Sequence, residues 1–157
     1  MMMLTNKSRA LRAILFGGLI AGTFDISYAF IFYYLWRGIT PVRILQSVAR
    51  GALGQDAFKG GAKTAALGLV FHFLIATIAA TVYYLASRPL RFLVNYAVIC
   101  GPLYGVCIYL VMNFVVLPLS AIGSRPALPP PVLISGLLIH MFGIGLPIAL
   151  IVRRYSR

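Results

Sequence analysis

Four long runs of apolar residues divide the chain, and each ends at charge or proline. Ala13 to Trp36 follows the polar, basic stretch Met1 to Arg12 and is interrupted only by Asp25. Ala62 to Ala86 closes on Ser87-Arg88-Pro89, Phe92 to Ala121 contains Pro102 and Pro118, and Val132 to Val152 stops at Arg153-Arg154. A bilayer crossing takes about 20 apolar residues. The pattern therefore predicts four spanning helices at 13–36, 62–86, 92–121 and 132–152, behind a basic N-terminal segment 1–12. The first run exceeds the apolar region of a cleaved signal peptide, about 7 to 15 residues, so it reads as a retained helix. Prolines inside such spans kink them without forbidding them.

The long connection between the first two spans has a pattern of its own. Thr40-Pro41 looks like an N-cap followed by proline at the first helical position. Val42, Leu45, Val48 or Ala49, and Leu53 then recur at helical spacing, with Arg43, Gln46, Ser47 and Arg50 mostly on the other side. Segment 41–54 is expected to be a short amphipathic helix, either lying in the membrane interface or covering the bundle as a solvated surface helix. Asp56 is expected to cap the start of the second span. Arg125-Pro126-Ala127-Leu128-Pro129-Pro130-Pro131 predicts an extended polyproline II connector between the last two spans.

Composition turns this pattern into a class. Hydrophobic residues make up 61% of the 157 and charged ones 10%, against about 25% charged in an ordinary soluble domain. A soluble globule is excluded, and the expected fold is all-α: one integral membrane bundle of four transmembrane helices with an interfacial amphipathic helix between the first two. Fourteen Lys and Arg face two acidic residues, a net charge of +12. In a soluble protein that balance would point to nucleic acid. Here the cations sit at the ends of apolar runs, where they meet lipid phosphate and set orientation, and no contiguous basic face is left for nucleic acid. Eight of them fall on the side that holds both termini and six on the other, which favours cytoplasmic termini. Cys100 and Cys107 lie about 10 Å apart along a helix axis, beyond disulfide reach.

Internal similarity is the most informative feature. Gly68-Leu69-Val70-Phe71-His72 matches Gly136-Leu137-Leu138-Ile139-His140, displaced by 68 residues, and Gly18-x-x-x-Gly22 matches Gly101-x-x-x-Gly105, displaced by 83. Two like-oriented hairpins related by an axis near the membrane normal would produce this; chance is the alternative, since glycine pairs are common in membrane helices. Flanking charges place Asp25 midway along its span, and His72, His140 and Asn113 within a slab about 8 Å thick around it. Asp25 shares the Gly18/Gly22 face of its helix, and the two histidines lie in small-residue stripes that include Gly68 and Gly136. Such faces are expected to meet one another, pointing the polar groups inward.

An ionised carboxylate at the centre of hydrocarbon costs roughly 2.5 to 3.5 kcal/mol on insertion scales and needs a partner or a proton. Histidine is the expected partner, because no Lys or Arg lies deep in a span. Two roles compete: cross-helix hydrogen bonds that hold register, and a site for a proton, a metal ion or haem. A proton or ion relay needs only neighbouring titratable groups and water. A divalent metal would take Asp25, His72 and His140 as ligands with Asn113, Tyr28 or Tyr109 behind them. Haem would need both imidazoles as axial ligands. There is no Gly-rich phosphate loop, Cys-x-x-Cys, Ser-His-Asp set outside the bilayer or paired carboxylate, so no catalytic residue is assigned.

Pro41 to Gly54 (PVRILQSVARGALG), the Gly-Leu-x-x-His-Phe stretch, Gly101-Pro102-Leu103-Tyr104-Gly105 and Asn113-Phe114-Val115-Val116-Leu117-Pro118 together resemble small bacterial inner-membrane proteins of unassigned function. That resemblance covers most of the chain and implies a bacterial inner-membrane location; it transfers no activity. The sequence favours the first of three functions and keeps the other two as alternatives. The first is a non-enzymatic accessory or scaffold component that packs on other membrane subunits, or on its own copies, through its glycine faces. The second is a proton, metal-ion or small-solute pathway through Asp25, His72 and His140. The third is a bis-histidine haem carrier.

Overall fold

The computed structural model describes residues 2–123 and 128–156, and among these every element is helical. Helix α1 runs Met2–Arg37, α2 Pro41–Leu53 and α3 Gly61–Ser87; the short α4, Phe92–Asn95, precedes α5, Ala97–Val111. A π-turn, Met112–Val116, and a last turn α6, Leu117–Leu119, complete the third long helix. The fourth is α7, Pro130–Ile139, a second π-turn, His140–Gly145, and α8, Leu146–Ser156. Four stretches, Lys7–Arg37, Gly61–Ser87, Ala97–Leu119 and Pro130–Ser156, are long and apolar enough to cross a membrane. Large apolar side chains cover the outside, with Leu119 83% and Leu35 78% exposed, the surface expected of a bundle whose solvent is hydrocarbon.

Several boundaries differ from those the pattern predicts. α1 starts at Met2 instead of residue 13, because nothing in the basic segment before Gly17 breaks a helix and its Lys, Arg, Ala and Leu favour one. The third span does not run unbroken from Phe92: Tyr96, at φ −107° and ψ 37°, separates α4 from α5. Pro130 and Pro131 open α7, where their missing N–H groups go unused. Pro129, at φ −56° and ψ 144°, keeps the extended geometry of a polyproline connector; residues 124–127 of that connector lie outside the described part.

Of the prolines within spans, Pro102 sits inside α5 without a π-turn, whereas Pro118 and Pro147 each follow a widened turn. Each π-turn is followed at once by Leu-Pro, Leu117-Pro118 in one span and Leu146-Pro147 in the other. Proline has no N–H to give, and its ring crowds the carbonyl four residues back. The helix answers with one extra residue in the turn: the Leu117 N–H bonds to the Met112 carbonyl and that of Leu146 to Met141, both five residues back.

Glycines set how closely the spans approach. A Cβ on Gly18 would lie 2.7 Å from Thr77 Cα, and one on Gly22 2.9 Å from the Phe73 ring, so α1 seats directly on α3. Gly101 lies against Leu146 and Gly145, and Gly105 against the His140 carbonyl, joining α5 to the fourth span backbone to backbone. α1 also packs on α8. Buried Ala13, Tyr83, Tyr84, Ala97, Ile148 and Val152 fill the end of the bundle nearest the chain termini. There the Tyr83 hydroxyl donates to the Leu93 carbonyl at 2.9 Å, and the Tyr104 hydroxyl to the Ala79 carbonyl at 2.7 Å. The small stripe expected on the second span is shared between two neighbours: His72 and Ala76 meet Gly22 of α1, but Gly68 does not. Gly68 lies against the Leu45 carbonyl of α2 and Gly136 against the Tyr109 ring, so neither faces another small-residue stripe.

α2 is helical as its pattern predicts, with the Thr40 hydroxyl accepting from the Arg43 N–H and Pro41 in the first turn. Its buried side is different. Ile44, Gln46 and Ala49 are buried while Val42 and Leu53 are exposed, because the helix lies along α3 and its contact face is set by the groove at Gly68. Gln46 is satisfied there by donating to the Gly61 carbonyl at 3.1 Å. Gln46→Leu is expected to lower stability by about 1 kcal/mol, the worth of a typical hydrogen bond, read as a small fall in the thermal midpoint of the detergent-solubilised protein. Asp56 does not cap α3, whose N-cap is Gly60. It sits in the 3-10 turn Gly54–Lys59 and bonds Lys59 at 2.7 Å in the open. That hydrogen bond, and then the ammonium charge, hold the Asp56 carboxyl below its ordinary range.

Candidate functional site

Below the packed tyrosine end the four spans diverge around a cavity of about 280 Å³. Asp25, His72, Asn113 and His140 all line it, each from a different span, and Val48 of α2 contributes from the side. Three local features put them there. α1 carries Gly22, Asp25 and Tyr33 on one face at helical spacing. The π-turn Met112–Val116 turns Asn113 toward the cavity, and the π-turn His140–Gly145 begins at His140 itself. π-turns inside helices gather at functional sites, and here both present the polar residue of their span.

The hydrogen bonds fix how each group is held. His72 Nε2 lies 2.8 Å from the Gly22 carbonyl. A carbonyl only accepts, so Nε2 carries the hydrogen and, in the neutral ring, Nδ1 carries the lone pair. That nitrogen faces Asp25 Oδ2 at 4.0 Å, with the two side chains 12% and 23% exposed. His140 is held the other way round: Nδ1 donates to the Gly136 carbonyl at 2.8 Å, which leaves Nε2 as the acceptor, and the ring packs edge-on to Tyr109 at 5.3 Å. Asn113 Nδ2 donates to the Tyr109 carbonyl at 2.8 Å, and the Tyr109 hydroxyl reaches the Leu133 carbonyl at 3.4 Å.

Comparison with protein-family models, with curated proteins and with solved structures finds no match to this chain. The chemistry of the site therefore rests on its own geometry.

One of the candidate ligands fits that geometry poorly. Among the described residues no three His, Cys, Asp or Glu side chains gather closely enough to hold a metal ion. Bis-histidine haem would draw one lone pair from each imidazole; His140 keeps its Nε2 lone pair, while His72 Nε2 is committed to the Gly22 carbonyl and only Nδ1, which faces Asp25, is left. Tyr28, a candidate to support a bound metal's ligands, is not in the cavity wall and stacks instead on Phe32, ring centres 5.6 Å apart. Tyr33 and Met112 line the cavity and were not singled out by the sequence. Tyr33 had a signal, since it falls eight residues after Asp25 and so on the same helix face. Met112 had none beyond its place before a mid-span Leu-Pro.

The six glycines expected to pack helices do so within the chain. Gly18, Gly22, Gly68, Gly101, Gly105 and Gly136 each lie against a neighbouring segment of the same molecule.

Proposed function

We propose that the chain is an integral membrane protein that passes protons or a small cation through the chamber lined by Asp25, His72, Asn113 and His140. The observation that carries this is the Asp25–His72 pair. With the Nε2 hydrogen committed to Gly22, the Nδ1 lone pair and the carboxylate oxygen confront each other at 4.0 Å. Two acceptors so placed repel, and one proton held by either turns the contact favourable. The pair is thus built to bind and release a single proton in a cavity large enough for water, and Asp25 is the only acidic group in the wall. Among the described residues no Lys or Arg lines it, so a cation or proton suits it better than an anion.

The bacterial inner membrane as location, cytoplasmic termini and an interfacial position for α2 belong to the same reading; the charge distribution and the exposed apolar belt support them. A duplicated hairpin is supported by one parallel. Gly22, second of its glycine pair, accepts from His72 of the next span, and Gly105, second of the other pair, lies against the carbonyl of His140.

The test is flux. Proteoliposomes loaded with a pH-sensitive dye are expected to dissipate an imposed pH gradient faster than empty vesicles when potassium and valinomycin balance the charge. Equal rates for proton, sodium and potassium gradients with and without protein would overturn the proposal.

A further inference from the structure

A second cavity, about 270 Å³, lies beside the first between α2, Ile75 of α3 and the end of the third span, with Arg50 in its wall. The Arg50 Nε atom is buried and has no hydrogen-bond partner among the described residues. An Nε–H withdrawn from water is unfavourable unless an acceptor meets it. The chain has little to offer. Of its two acidic residues, Asp25 faces His72 in the first chamber and Asp56 is paired with Lys59. The nearest hydroxyls, Ser47 and Ser120, direct their hydrogens to the Ile44 and Leu117 carbonyls, and neither oxygen bonds Arg50 Nε. No acidic side chain of the chain meets Arg50 Nε, and the cavity beside it has room for an acceptor from outside.

We propose that this cavity is a phosphate site, with the Arg50 guanidinium as its ligand-binding group. Arginine meets phosphate oxygens through parallel, charge-assisted hydrogen bonds. Its position fits a lipid headgroup: Arg50 belongs to the connection between the first two spans, at the end of the bundle that also carries Arg37, Lys59 and Lys63, where headgroup phosphates lie. The rest of the wall is mostly apolar, with Val48, Val116 and Ile122 placed to take the start of an acyl chain. A free phosphate ion would use the same guanidinium and leave that apolar wall unused.

Native mass spectrometry of the full chain in mild detergent tests this with three probes: phosphatidylglycerol, inorganic phosphate, and dioleoylglycerol, which lacks the phosphate. One saturable equivalent of phosphatidylglycerol, no retention of dioleoylglycerol and no competition by phosphate identifies a lipid site. Saturable binding or competition by inorganic phosphate identifies the free ion. In both cases Arg50→Gln is expected to weaken binding about ten-fold or more. Arg43→Gln, which removes an exposed cation stacked 3.9 Å over Phe58, is expected to leave it unchanged. Ser47→Leu, which fills the cavity without touching Arg50, is expected to lose binding as well and serves where Arg50→Gln fails to fold. Binding of neither phosphate probe above dioleoylglycerol, or undiminished binding in the folded variants, would overturn the proposal. Flux through the first chamber is measured separately and does not bear on it.

Discussion

Gly105→Ala is expected to destabilise the bundle by about 3 kcal/mol or more, at or above the upper end of ordinary overpacking. At this point the new methyl meets backbone. Its Cβ would run into the His140 carbonyl and come within 2.6 Å of Met141 Cα, while Gly145 opposite leaves no slack against Gly101 and Gly105. Two helix backbones can only part, and parting them undoes the contacts of α5 with the fourth span. Gly136→Ala makes the control. Its Cβ would lie 3.1 Å from Tyr109 Cε2, the edge of a side chain that can turn aside, so a loss below about 1 kcal/mol is expected. Thermal unfolding in detergent separates the two: a fall of roughly 6 to 12 °C for Gly105→Ala against a few degrees for Gly136→Ala. Equal shifts would mean that the spans do not meet backbone to backbone. Because the obstructed atom is the His140 carbonyl, the same substitution should also displace the His140 ring from the chamber.

What the sequence made legible depended on which physical rule governed each feature. The four spans follow from hydrocarbon thickness and composition, which act on whole segments and tolerate small errors of boundary. The depth estimate for Asp25, His72, Asn113 and His140 rested on counting residues from flanking charges, and all four groups line one cavity. Facing was harder. Helical periodicity cannot say which of several small-residue stripes a neighbour will occupy, so the Gly68 face was assigned to another span when α2 takes it. Gln46 was placed on the polar side of α2 for the same reason; its carboxamide is buried because the Gly61 carbonyl lies within its reach. The π-turns were missed because proline in a span reads as a kink. Their signal was present in the repeated Leu-Pro behind Asn113 and behind His140, and it mattered because one extra residue in a turn rotates what precedes it by about 100°.

Asp25→Asn is expected to reduce proton flux about a hundredfold or more, the scale on which removal of a positioned proton-transfer group acts, while leaving the fold intact. The carboxamide keeps the size of the carboxyl and can donate its N–H to His72 Nδ1, so the contact across α1 and α3 survives. What it cannot do is take up and release a proton. His72→Gln probes the other partner: a glutamine nitrogen can replace Nε2–H toward the Gly22 carbonyl, preserving the bond now 2.8 Å long, but it removes the lone pair that faces Asp25. Flux should fall in both variants, and combining them should cost little beyond either alone, because the pair acts as a unit. A purely structural pair behaves differently. Each substitution would then change stability by about 0.6 kcal/mol, the average worth of a hydrogen bond between membrane helices, and reconstituted wild type and variants would leak protons no faster than empty vesicles. The flux of the double variant relative to the singles thus decides whether the buried carboxylate and the imidazole beside it hold helices together or hand a proton across.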